Sequence, residues 1–225
     1  MTFSIVGRCA QSGQLGIAIS SSSIAVGARC PWARAGVGVV ASQNVTLPAL
    51  GPQILDLLDN ERISPAMALE HALAADSGSQ YRQVTVIDGE GRTAFFSGAQ
   101  ALGVYHAVAG EQCVAAGNML AGANVIDAMV EAFDTTPGAL ADRLLAAMHG
   151  AIAAGGEAGP VHSAALKLVG DVTWPIVDLR VDWADAHPIA QLDRLWQAYR
   201  PQMQDYLTRA LDPTAAPSYG VPGDE

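Results

Sequence analysis

The sequence predicts an α+β fold: a four-layer αββα sandwich of two antiparallel sheets flanked by helix pairs. Three observations carry this. Apolar runs of strand length are grouped rather than alternating singly with helices, in the order strands, two helices, strands, two helices, strands, helix. That grouping disfavours a parallel βαβ sheet and favours antiparallel layers. The strands read as continuous apolar runs, as they should if one face meets a second sheet and the other meets helices. Short turn sequences join neighbouring strands, Asp88-Gly89-Glu90-Gly91 most plainly.

Taken in order, residues 2–9 and 14–20 form a hairpin around Ala10-Gln11-Ser12-Gly13. The second strand runs into four hydroxyls, Ser20 to Ser23. They either satisfy backbone groups at a turn or line a pocket beside the first strand. Residues 36–42 form a third strand. Gly36, Gly38 and Ala41 match a dinucleotide-binding fingerprint on paper, but that pattern must open a helix, and none starts at Ser42-Gln43-Asn44. Glycines inside a strand instead permit close backbone approach. A helix is expected over about 51–59. Another begins with Ser64 as N-cap and Pro65 at its first position and runs to about Ala75. Strands at 82–88 and 92–97 make a second hairpin, and a further strand covers about 112–117. Helices follow over about 123–134, with Val125, Ile126, Met129, Val130 and Phe133 at helical spacing, and over about 137–154, stopped by Gly155-Gly156. Strands at 163–169 and about 174–181 and a helix over about 189–209 complete one domain, residues 1–211. The Pro- and Gly-rich segment 212–225 reads as a disordered tail.

Composition bounds the function. Half of the 225 residues are hydrophobic and 15% are charged, which supports a substantial core extended by a subunit interface, so a homo-oligomer is expected. A net charge of −10 argues against nucleic acid, which needs clustered Lys and Arg. Cys9, Cys30 and Cys113 are odd in number and lack CxxC spacing, so a cytoplasmic setting is favoured over a disulfide framework. No signal peptide or membrane span is visible, because Arg8 and Gln11 interrupt the first apolar run. Five scattered histidines lack HExxH or HxH spacing, and no GxSxG elbow or P-loop exists, so no metal or cofactor is expected. Asp182, Asp185 and His187 are either a cation site or a solvated loop.

The chemistry centres on Thr2. Once Met1 is removed, which the small threonine permits sterically, Thr2 carries a hydroxyl and a free α-amine. That pair is a nucleophile with a built-in base, since an α-amine titrates near roughly pH 8. The other reading is that Thr2 is merely the first β-branched residue of an edge strand.

Several segments together resemble the DUF1028 family, within the N-terminal nucleophile (Ntn) hydrolase superfamily. They are Met1-Thr2-Phe3-Ser4-Ile5-Val6, Ala25-Val26-Gly27-Ala28, Pro31 to Gly38, Tyr81-Arg82-Gln83, Gly117 to Gly122, Ser163-Ala164-Ala165-Leu166 and Val177 to Asp182. The resemblance spans the chain up to about residue 210. Some relatives carry a C-terminal peptidoglycan-binding domain, and the short tail here suggests the stand-alone form. Gly159-Pro160-Val161-His162 replaces a stretch that is often more basic in relatives. The superfamily implies amide hydrolysis of a small amide or a short peptide-like substrate. Proteasome-like relatives place an acidic residue and a lysine where this chain has Ser21–Ser22 and Arg29, and neither residue type matches.

The roles implied for a working site follow from that layout. Thr2 is the nucleophile with its amine as base, Ser22 orients the amine, and Arg29 stabilises charge or positions substrate. An oxyanion donor comes from Gln43-Asn44 or from Asn118, the last of which also suits plain turn chemistry. Gln43, Arg82 and Arg180 are the substrate-binding candidates. Arg82 and Arg180 would grip a carboxylate bidentately or serve as ordinary ion-pair partners. The alternative to an amidohydrolase is a non-catalytic binding or assembly protein on the same fold.

Overall fold

The computed structural model describes residues 1–221. In chain order its elements are β1 (Thr2–Arg8), β2 (Leu15–Ser21), α1 (Val26–Arg29), β3 (Pro31–Arg34), β4 (Gly38–Asn44), α2 (Leu50–Asn60) and α3 (Pro65–Ala74). Next come β5 (Arg82–Asp88), β6 (Thr93–Ser97), β7 (His106–Gly110), β8 (Cys113–Asn118), α4 (Asn124–Thr135) and α5 (Leu140–Ala153). The chain continues through β9 (Ser163–Val169), β10 (Val177–Val181), α6 (Pro188–Tyr199) and α7 (Met203–Leu211). This is a mixed α+β fold with two antiparallel sheets. One has the order β10-β9-β2-β1-β8-β7 and the other β3-β4-β5-β6.

β1 is therefore an interior strand, held on both sides by β2 and β8. The edge-strand reading of Thr2 fails on topology: β8, distant in sequence, closes the side that the β1–β2 hairpin leaves open.

Side-chain alternation sorts the strands into faces. Phe3 and Ile5 of β1 enter a core shared with α4, α5 and α6, through Met129, Phe133, Leu144 and Leu192. Val40, Val84 and Val86 of the smaller sheet pack against Leu50, Ile54 and Leu69 of α2 and α3. A third core joins strands of both sheets: Val6, Leu15, Ile17, Val114 and Val169 meet Val39, Ala41 and Ile87. Helices α4, α5 and α6 supply buried residues to the core of the larger sheet, and Met203 and Leu207 of α7 pack against it, where the sequence predicts a helix pair. A Cβ on Gly38 would sit 2.6 Å from the Ile87 carbonyl oxygen, so the close backbone approach expected of that glycine is real.

The expected caps and faces appear where the pattern was strong. Ser64 Oγ accepts from the Met67 N–H at 3.3 Å, with Pro65 at the first helical position. All five expected apolar residues of α4 are buried. The sequence reading departs from the structure in four places. β7 and α1 were not anticipated, and β3 is a four-residue strand opened by Pro31 at the sheet edge. The long last helix is broken: Pro201, which has no N–H to donate, falls in a 3-10 turn at Arg200–Gln202 between α6 and α7. Of the tail, residues 213–215 turn, 216–220 have no regular structure, and Arg209 of α7 donates to the Pro217 carbonyl at 2.9 Å. Residues 222–225 lie outside the described residues.

Candidate active site

Antiparallel pairing lines up four polar residues across one end of the larger sheet: Asn118, Thr2, Ser21 and Ser163. Thr2 alternates with Phe3, so its side chain shares the face of Ser4 and Val6, toward the second sheet. Thr2 is 6% exposed. Its Oγ lies 3.2 Å from Ser21 Oγ, so Ser21 rather than Ser22 stands across from it. The Ser21 hydroxyl is oriented from both sides. It accepts from the Ser23 N–H at 3.1 Å and donates to the Met1 carbonyl oxygen, which also receives the Thr2 hydroxyl. The Met1 carbonyl is thus held by two O–H groups, one belonging to the residue that follows it.

The layer beneath is a chain of amides that ties the two sheets together. Ser4 donates to Gln43 Oε1 at 2.7 Å, and Gln43 Nε2 donates to Gln83 Oε1 at 2.9 Å and to the Ala116 carbonyl at 3.1 Å. Gln83 Nε2 donates to Ser97 Oγ at 3.0 Å and to the Gly117 carbonyl at 2.9 Å. Asn118 Nδ2 donates to Gln83 Oε1 at 3.1 Å. Gln83 Oε1 already takes a donor from Gln43, so this fixes the Asn118 amide with its oxygen pointing away. Asn118 is the register partner of Thr2, and its Oδ1 is buried with no hydrogen-bond partner.

The most telling group is one the sequence reading passed over. Glu157 lies in the loop after α5. Gly155 and Gly156, at φ +117° and +63°, end the helix with the left-handed turn that favours glycine. A bridge to Leu120 then brings Glu157 beside the end of β8. Glu157 is 6% exposed, and neither carboxylate oxygen has a hydrogen-bond partner. Burial pushes its carboxyl up to about 8. The N-terminal ammonium of Met1 and the N–H and hydroxyl of Ser22 oppose that rise, without Ser22 reaching hydrogen-bonding geometry. Ser22 thus stands beside Glu157, and Glu157 feels the amine of Met1.

The other expected site residues lie as follows. Gln43 is 1% exposed and spends its amide in the inter-sheet chain. Asn44 has φ 69°, donates to the Tyr81 carbonyl at 2.6 Å and accepts from Leu102 N–H at 3.3 Å, so its amide pins two loops. Arg29 folds back on the Ile24 and Ala25 carbonyls at 2.6 and 3.3 Å. Arg82 pairs with Asp76 at 2.8 Å and donates to the Val45 carbonyl at 2.7 Å. Arg180 pairs with Asp178 at 3.5 Å and lies over Gly27 of α1. Lys167, the chain's one lysine, pairs with Asp178 at 3.4 Å. Of the expected residues, Thr2 and Asn118 are register partners and Ser22 is close by; the arginines are engaged elsewhere.

Glu157 and Gly159 also line a cleft of about 370 Å³ between the C-terminal end of α5 and the N-terminal end of α6, with Ile152, Val161, Asp185 and His187. Asp185 accepts from Trp183 Nε1 at 3.2 Å, and His187 precedes α6 at φ 55°. Among the described residues, no group of three or more metal-ligating side chains is gathered, and no helix is long and apolar enough to cross a membrane.

Comparison with known proteins places the chain. The crystal structure of protein SPO2555 from Silicibacter pomeroyi, of family model DUF1028, superposes with a TM-score of 0.85 at 31% identity, covering 91% of this chain and 89% of that one. Two Anbu (ancestral beta-subunit) structures give a TM-score of 0.41. The one from Yersinia bercovieri is 11% identical, covering 90% of this chain and 96% of that one. The one from Hyphomicrobium sp. strain MC1 is 12% identical, covering 92% and 98%. No curated protein matches. A model of a family of unknown function, DUF1028, matches residues 2–192, and the chain belongs to that family.

Proposed function

We propose that the protein is an Ntn-type amidohydrolase on a four-layer αββα sandwich, cleaving a small amide or short peptide-like substrate with Thr2 after loss of Met1. The observation that carries the reading is the position of Thr2. It begins an interior strand and faces the inter-sheet side, and its hydroxyl meets a second oriented hydroxyl on a carbonyl carbon's oxygen.

The chemistry follows from those contacts. Loss of Met1 frees the Thr2 amine. With the one lysine paired at Asp178, that amine is the base within reach of the Thr2 hydroxyl. Thr2 Oγ adds to the substrate carbonyl carbon as its proton passes to the amine through a water. Ser21 Oγ–H, aimed at a carbonyl oxygen by the Ser23 N–H, stabilises the oxyanion. The C–N bond breaks, the leaving amine takes the proton, and water hydrolyses the threonine ester to the acid. In this reading Asn118 Oδ1, a buried acceptor with no partner on the residue across from Thr2, receives an N–H of the Thr2 ammonium. Ser21 takes over the oxyanion role that Asn118 would fill only by releasing Gln83.

The test is the intact mass of the untagged protein, followed by an amide screen against wild type and Thr2→Ala. Loss of one methionine and a fall in kcat/KM of at least about 1000-fold in the variant support the reading. A chain that retains Met1 has its Thr2 amine locked in an amide. The alternative of a non-catalytic binding or assembly protein then takes over.

A further inference from the structure

Met1 makes two contacts and stands near a third group, and together these describe a ligand. Its carbonyl oxygen takes the hydroxyls of Thr2 and Ser21. Its ammonium lies near Glu157, outside ion-pair distance but close enough to oppose the rise of that carboxyl, and Glu157 is 6% exposed with neither carboxyl oxygen hydrogen-bonded. Its side chain lies on Gly159, where an added Cβ would come within 3.3 Å of the methionine Cε and 3.7 Å of its sulfur. Gly159 belongs to the wall of the cleft formed with Ile152, Val161 and Ile189, and Ile152 is 44% exposed there although it continues the apolar face of α5.

Loss of Met1 empties this space near Glu157. An acyl group arriving on Thr2 Oγ enters the same space, because N and Oγ of one threonine are only roughly 3 to 3.6 Å apart in any rotamer. A buried carboxylate with no partner is costly unless something charged or hydrogen-bonding comes to it. No group among the described residues, the Met1 ammonium included, is hydrogen-bonded to it.

We infer that Met1 occupies the site of the substrate's acyl residue, so that the substrates are amides of α-amino acids with a free amino group. Glu157 receives the α-ammonium, Ser21 the carbonyl, and the Gly159 side of the cleft an apolar side chain. The inference rests on the amidohydrolase reading and names its substrate class. An N-acylated substrate loses the charge that Glu157 requires, and a branched or bulky addition at residue 159 closes the side-chain seat. The reaction is an amino-acid amide plus water giving the free amino acid and an amine, with bonds and protons as set out above.

The experiment uses a chain that starts at residue 2, released from a cleavable N-terminal fusion and carrying Thr2→Ala to prevent turnover. Isothermal titration at pH 7 compares L-methioninamide with N-acetyl-L-methioninamide. The free amine should bind at least about 30-fold more tightly, and Glu157→Gln should bring the ratio below about threefold, with N-acetyl affinity unchanged. Equal affinity, tighter binding of the acetylated compound, no binding of either, or a ratio that survives Glu157→Gln overturns the inference. The same two amides are then given to the Thr2 enzyme with and without Glu157→Gln. Selective binding without hydrolysis leaves the recognition standing and removes the hydrolase reading. Hydrolysis of the acetylated amide alone does the reverse. If Glu157→Gln slows both amides equally, Glu157 serves the enzyme's own amine instead, and the proposed recognition fails.

Discussion

Asp76 sits in the loop after α3 with its side chain 9% exposed, and Glu157 sits in the loop after α5 at 6%. Asp76 receives Arg82 Nε at 2.8 Å and the Gly78 N–H at 2.9 Å, and Arg82 holds its carboxyl below the usual range. It is shielded from water by its own partner and loop. Glu157 lies deeper, has no hydrogen bond, and is driven the other way, up to about 8. A buried carboxylate that finishes its hydrogen bonds within its own loop needs nothing further to explain it. One left open beside a chain terminus is a cost that folding alone does not repay.

The largest effect that sharpens this contrast is in pH. Glu157 has a folded value raised above its unfolded value of 4.5. Between those two values the folded chain holds a proton that the unfolded chain has lost, so stability must fall as pH rises through that window. Denaturant unfolding at pH 5 and pH 8, on protein expressed with methionine aminopeptidase inhibited so that Met1 stays, should show wild type losing on the order of 2 to 4 kcal/mol more than Glu157→Gln. Asp76 has the opposite sign: its contribution is present above its unfolded value of 3.8 and is lost as pH falls below that. A wild-type slope no steeper than that of Glu157→Gln would mean that Glu157 is solvated and that the contrast is false.

Next in size is the amide chain under Thr2. Gln83 joins buried Gln43, Asn118 and the Gly117 carbonyl to half-buried Ser97. Gln83→Ala strands several of these groups at once. We expect a loss of about 2 to 3 kcal/mol, read from the denaturation midpoint at unchanged m. Loss of hydrolysis should accompany it, because the Asn118 amide, across from Thr2, loses the acceptor that fixes its orientation. A variant that keeps both stability and rate would show that the network merely fills space.

Much of this molecule could be read from its sequence, and the reasons for the rest are physical. β1 and β2 are near-continuous apolar runs and α4 and α5 carry strong apolar periods, so their places follow from local pattern. β7 is half-exposed at a sheet edge and has no such period. Thr2 could be singled out because its chemistry depends on its place in the chain. Choosing Ser21 over Ser22 needs the β1–β2 register, and a slip of one residue sends the side chain to the other face. Glu157 has a faint signal, an acid directly after the double-glycine stop of α5 and six residues before Ser163. Its burial comes from the bridge to Leu120, a contact between segments far apart in sequence. Arg82 and Arg180 have the right chemistry for a carboxylate, and only the fold shows Asp76 and Asp178 already there.

A smaller effect comes from Asp76 itself. Asp76→Asn removes the charge but leaves a side chain that can still accept from Arg82 Nε. The cost should be about 1 to 2 kcal/mol in thermal or denaturant unfolding, with amide hydrolysis unchanged. If instead activity falls with stability intact, Arg82 is not simply an ion-pair partner, and a role in gripping substrate returns.

The smallest effect separates the two arginines. Arg180 is 42% exposed and its pair with Asp178 spans 3.5 Å, with Lys167 also on that carboxylate. A pair that open to water contributes little, because solvent screens the charges and both side chains give up freedom to meet. Arg180→Ala should therefore shift stability by less than about 0.5 kcal/mol on the charge side. The packing side is a separate matter, since the Arg180 stem covers Gly27, where even a Cβ would lie 2.9 Å from Arg180 Cδ. Arg180→Met keeps that stem and drops the charge, so comparing the two variants divides one contribution from the other. Equal stability in Arg180→Met and wild type, with kcat/KM for an amino-acid amide within about twofold, assigns Arg180 to packing. A larger loss of kcat/KM in Arg180→Met, restored by Arg180→Lys, would put a substrate carboxylate within its reach and extend the site beyond the Thr2 end of the sheet.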